Sequence, residues 1–160
     1  QVVDQPRSMK AFRDDVHAGW LINACATTAC HGGEEAGRLM LYPNRPRADS
    51  SVYTNFLIID KFRMADGTPL IDYERPERSA LLQLGLPRED SIFRHPEVLR
   101  GNAGRDAWKA NFRDTQDRSY KHTVDWIKLM YHPRPEYPID YQPPRPSVVV
   151  PKDPAKSPPR

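Results

Sequence analysis

SMKAFRDDVHAGWLINACATTACHGG, residues 8–33, carries a helix signal and a chemical signal in one stretch. Met9, Phe12, Val16 and Trp20 stand 3, 4 and 4 residues apart, which places them on one face of a helix. Ser8 is the expected N-cap, and the helix runs to about Ala24, where it delivers Cys25. Two cysteines then stand five positions apart, Cys25 and Cys30, and His31 follows the second directly. Gly32 and Gly33 come next; such residues end local structure and let the backbone approach something closely.

Three chemistries compete for Cys25, Cys30 and His31. A Cys25–Cys30 disulfide would close a very short loop, restrain little of the unfolded chain, and leave the adjacent histidine without a role. Zinc would need a fourth ligand, and structural zinc sites draw on a second spaced Cys or His pair. The chain has no other cysteine, and His17, His95, His122 and His132 are scattered. Covalent haem uses all three residues: the thiols form thioethers and the adjoining histidine becomes an axial iron ligand. The common spacing has two residues between the cysteines; here there are four, Ala26, Thr27, Thr28 and Ala29, all small enough for the loop to bulge away from the ring.

Working outward, residues 34–50 read as loop, and 51–63 as a helix in spite of the β-branched pair Ile58-Ile59. Asp66-Gly67 marks a turn. A short helix is expected over 76–84, with Pro76 at its first position and Gly85 past its end. Residues 86–114 read as mostly irregular. Asp117 or Thr115 caps a last helix over 117–131, in which Tyr120, Val124, Ile127 and Tyr131 share a face and which Pro133 stops.

The helix leading into Asn23-Ala-Cys-Ala-Thr-Thr-Ala-Cys-His-Gly-Gly is followed by Asn55-Phe56, by Pro76-Glu-Arg-Ser-Ala-Leu-Leu82, by Phe93-Arg-His-Pro96 and by a Trp126-Ile127 helix. Over roughly residues 9–142 this resembles the monohaem c-type cytochromes with a four-residue spacer of planctomycete-type bacteria. The resemblance implies a mainly α, small cytochrome c-like haem domain with long irregular loops, carrying one covalent haem c and exported from the cytoplasm. His31 is then the proximal iron ligand. In cytochrome c folds the distal ligand sits in the loop region before the last helix, which favours His95, with Met64 as the alternative. His95 precedes Pro96, so its backbone is biased to an extended form suited to presentation from a loop. His17, His122, His132 and Met130 are weaker candidates, and an open distal position would turn the site toward small-ligand binding or peroxidase-like work. Trp20, Phe56, Leu81, Leu82, Trp108 and Trp126 are candidate pocket walls, with ordinary core as the other reading.

Composition bounds the remaining choices. The chain has 160 residues, 38% hydrophobic and 28% charged, so a core built over residues 8–132 would be thin and would benefit from a cofactor. The longest apolar run is about four residues, far short of a membrane span. Net charge is +3, from 24 basic and 21 acidic residues, and the signs are mixed. No basic stripe marks a nucleic-acid binder, whereas an acidic protein partner or anionic surface fits. No phosphate loop or substrate-processing dyad is present, so electron transfer rather than enzymatic turnover is the expectation.

The first residue is Gln1 and residues 1–7 read as an extended arm; a removed export signal and a periplasmic or otherwise exported location are expected. Ten of the 17 prolines fall in residues 133–160, an extended tail that cannot build a core of its own. Tyr137, Ile139 and Tyr141 would return to the domain, and Val148, Val149 and Val150 form an apolar patch for another subunit. The expected role is thus a haem-bearing subunit of a larger redox complex, docked through its tail. An accessory subunit in which haem is secondary or absent, and a haem enzyme or sensor with an open distal side, are the alternatives.

Overall fold

The computed structural model describes residues 5–34, 36–96 and 108–130. Most of the N-terminal arm, Gly101, Gly104, Tyr131, His132, Pro133 and the expected docking tail lie outside them. Among the described residues the fold is mainly α, with four helices and no strand beyond an isolated bridge between Arg63 and Pro69.

Helix α1 is one continuous run: an α turn Arg7–Ala11, a π-wound stretch Phe12–Leu21, and a last turn Ile22–Ala24. It starts one residue before the expected Ser8 cap. Pro6 leaves the chain extended at ψ 140°, and its carbonyl accepts the Lys10 N–H at 3.0 Å, so Ser8 lies inside the helix and caps nothing. In the middle stretch the hydrogen bonds reach five residues back, as from Ile22 N–H to His17 O. That winding puts i, i+4 and i+5 on one face. Phe12, Val16, His17, Trp20 and Leu21 are therefore all buried, where an α-helical reading of the sequence gives only Phe12, Val16 and Trp20.

Helix α2, Asp49–Lys61, settles the ambiguous stretch as a helix, with Asp49 in its first turn and Lys61 in its last, both favourable to the helix dipole. Val52, Asn55, Phe56, Ile58 and Ile59 are buried. The expected helix over 76–84 divides into a 3-10 turn, Pro76–Arg78, and the short helix α3, Ala80–Gln83. Helix α4, Arg118–Lys128, has Asp117 as its N-cap, its carboxylate accepting from Ser119 N–H at 2.8 Å. It closes before the expected end because Leu129 and Met130 turn their N–H groups back on Trp126 and Ile127.

Helices α1 and α4 pack together. The buried indole of Trp20 donates to Thr123 Oγ1 at 3.0 Å, and Asp15 pairs with His122 at 3.5 Å at the surface. Phe12 is the hub of the core, 5.0 Å from Trp126 and 5.4 Å from Phe56 between ring centroids. Such aromatic pairs contribute about 0.5–1.5 kcal/mol each beyond their buried area. Phe56, Leu82 and Trp126 lie within this core. The described residues close a continuous apolar core from their own side chains, including Leu41, Leu70, Leu86 and Phe112, so the expected shortfall is smaller than composition suggests. Among the described residues no helix is long and apolar enough to cross a membrane.

Candidate functional site

The site begins where α1 ends. Cys25 N–H and Ala26 N–H both donate to Leu21 O, at 2.9 and 3.0 Å, so the π winding of α1 carries into the cysteine loop. The loop then folds back on itself. His31 N–H reaches Cys25 O and Gly32 N–H reaches Thr27 O, both at 2.9 Å. Ala26 turns inward and is fully buried, while Thr28 and Ala29 bulge toward solvent.

Gly32 and Gly33 are needed at this turn. A Cβ on Gly32 would stand 2.1 Å from Ala26 O, and one on Gly33 would stand 1.9 Å from Thr28 O. What these glycines approach closely is the backbone of the cysteine loop.

Both cysteines are free thiols, Cys25 half-buried and Cys30 exposed. Asn111 Nδ2 donates to Cys25 Sγ at 3.2 Å. Burial pushes the Cys25 thiol up to about 11; the Asn111 bond opposes this and neighbouring Cys30 adds to it. Cys25 is held as the neutral thiol.

His31 is half-buried, and its Nδ1 lies 3.0 Å from Leu39 O. A carbonyl can only accept, so Nδ1 carries a proton, and in the neutral ring the lone pair lies on Nε2. His95 repeats the arrangement: its Nδ1 lies 2.9 Å from Pro96 O. Neither Nε2 has a hydrogen-bond partner among the described residues. The two rings lie 6.1 Å apart between centroids, at 67°. Trp108 stacks on His95 with centroids 4.8 Å apart and planes 8° from parallel. Burial lowers the His95 pKa, the Pro96 carbonyl opposes this, and the charges of His31 and Arg88 add to the lowering. Its ring is neutral near pH 7.

The loop that presents His95 is anchored from α3. The buried Gln83 side chain accepts from Ile92 N–H at 3.0 Å, and the single Ser91 hydroxyl proton lies within reach of the carbonyls of Gln83 and Phe93.

The other candidate ligands lie elsewhere. Met64 sits half-buried beside the core in a tight turn, its N–H on Thr68 O at 2.8 Å. His17 is fully buried with Nε2 on Asn55, His122 faces Asp15, and Met130 packs at the core edge. His132 lies outside the described residues. Among the described residues no three His, Cys, Asp or Glu side chains converge as a bare metal-ion site.

Sequence reasoning paired His31 with His95 and missed the groups that hold them. The carbonyls of Leu39 and Pro96 have no side-chain signature. Asn111 lies 86 positions from Cys25, and nothing in local pattern links the two. No family model, curated protein or solved structure matches the chain.

Proposed function

We propose that this chain is a monohaem c-type cytochrome that transfers single electrons as a subunit of a larger exported complex. The observation that carries the reading is the pairing of His31 with His95, directly beside the two thiols. The two ring centroids lie 6.1 Å apart at 67°, a spacing at which one metal centre could take a nitrogen from each ring. The donor set therefore fits a haem c: Cys25 and Cys30 for the thioethers, His31 as proximal ligand and His95 as distal ligand.

A haem held there supplies a ferric/ferrous couple. The chain's own residues set its conditions. The Leu39 and Pro96 carbonyls each hold an Nδ1–H, which fixes ring orientation and raises the basicity of the free nitrogen. Trp108 covers one face of His95. Gly32 and Gly33 let the cysteine loop close tightly enough to keep His31 beside both thiols.

The test is the visible spectrum of the protein produced with haem-attachment machinery in an exported compartment. Low-spin, six-coordinate bands are expected. High-spin bands would favour a sensor or enzyme with an open distal side, and absence of haem bands would leave the accessory-subunit reading. The mixed, mildly basic surface suits protein partners, and docking through residues 133–160 is part of the same proposal.

A further inference from the structure

Asn55 is a fully buried amide on α2. Its Oδ1 accepts from Tyr42 N–H at 2.7 Å, and its Nδ2 donates to Tyr42 O at 3.0 Å and to His17 Nε2 at 2.9 Å. The side chain thus pairs with both backbone groups of Tyr42, as a neighbouring strand would. Tyr42 fixes which way round the amide sits, because its N–H can only donate and its carbonyl can only accept; Nδ2 therefore faces His17, whose Nε2 accepts from it. The same segment grips His31 twice. Leu41 N–H donates to His31 O at 2.7 Å, and Leu39 O accepts from His31 Nδ1 at 3.0 Å.

We propose that Asn55, paired with Tyr42 and backed by His17, is a positioning residue for His31: it clamps segment 39–42 so that the Leu39 carbonyl fixes the proton on Nδ1 and leaves Nε2 as the coordinating nitrogen. In its redox consequence this rests on the reading of His31 as an iron ligand; in its effect on the His31 ring it does not. An outer hydrogen bond to a ligating histidine makes the ligand more basic and favours the ferric state. Loosening the clamp therefore raises the reduction potential.

The test uses the full chain with Asn55→Asp, which keeps the size and the acceptor but loses both N–H donors. Asn55→Ser carries the same test should the first variant not fold. His17→Gln, which offers Asn55 another acceptor, serves as the conservative rescue. Two readouts are taken: the His31 tautomer by long-range nitrogen–proton NMR on the chain made without haem, and the midpoint potential on the haem-loaded protein. The wild type should be almost wholly the Nδ1–H tautomer, the Asn55 variants a mixture with a higher potential, and His17→Gln close to wild type. Lower thermal stability with an unchanged tautomer would overturn the proposal, as would a wild type protonated on Nε2. A tautomer shift in a protein that never acquires haem would sustain the clamp and remove the haem reading.

Discussion

His31 and His95 lie 6.1 Å apart between ring centroids, each with its Nδ1 on a backbone carbonyl. The two rings come from loops that are remote in sequence, and neither Nε2 has a hydrogen-bond partner among the described residues. Replacing His95 with Ala should leave haem attached but move the ferric spectrum to high spin. An unchanged low-spin spectrum would transfer the distal role to Met64 or another histidine.

Trp108 stacks on His95 at 4.8 Å, so the ring has a flat support on one face. Trp108→Phe should keep a six-coordinate spectrum, and Trp108→Ala should speed binding of cyanide to the ferric protein by making His95 easier to displace. Equal cyanide binding rates in the wild type and Trp108→Ala would show that the stack has no positioning role.

Gly19, Gly32 and Gly33 give a graded test of the cysteine loop. At Gly19 a Cβ would meet Asp14 O at 3.5 Å, an ordinary contact, so Gly19→Ala should stabilise α1 by about 0.5–1 kcal/mol. At Gly32 and Gly33 the same Cβ would collide with backbone at 2.1 and 1.9 Å. Gly32→Ala and Gly33→Ala should therefore lower both folding stability and the yield of haem attachment, measured by denaturant titration and by haem-to-protein absorbance.

How much of this was legible beforehand follows from what each signal depends on. The helix into Cys25 and the capped last helix came from side-chain pattern, and the nearness of His31 to His95 from motif and resemblance. The burial of His17 and Leu21 did not, because the π winding of α1 shifts the buried face and no spacing rule for an α-helix anticipates it. Phe56 and Trp126 were offered as pocket walls because an aromatic looks the same in sequence whether it faces a cofactor or Phe12. The Leu39 and Pro96 carbonyls and the Asn111 contact arise from tertiary placement alone.

His17 is fully buried, and burial, with a smaller push from Arg13, lowers its pKa to about 4 from 6.5. The unfolded chain binds that proton more readily than the folded one, so stability from this group is fully present above pH 6.5 and is lost as pH falls toward 4. The full loss is up to about 3 kcal/mol at 1.36 kcal/mol per unit. Urea midpoints measured across this range should fall with pH in the wild type and fall less in His17→Gln.

Trp20 and Thr123 join α1 to α4 through a single buried hydrogen bond of 3.0 Å. Thr123→Val keeps the shape and strands the indole N–H, so a loss of about 1–3 kcal/mol is expected by thermal or chemical unfolding. Thr123→Ser, which retains the hydroxyl, should cost less. Equal losses in the two variants would mean that the methyl packing of Thr123, not its hydroxyl, holds the helices together.

Cys25 and Cys30 are free thiols in the loop that follows α1 and leads to His31, and covalent capture of haem by both is the step on which the functional reading depends. Intact mass under denaturing conditions, for protein produced with haem-attachment machinery, measures it directly. The expected result is a chain that retains one haem mass, with neither Cys25 nor Cys30 open to alkylation. A chain at its bare polypeptide mass, with both thiols alkylated or joined in a disulfide, would contradict it.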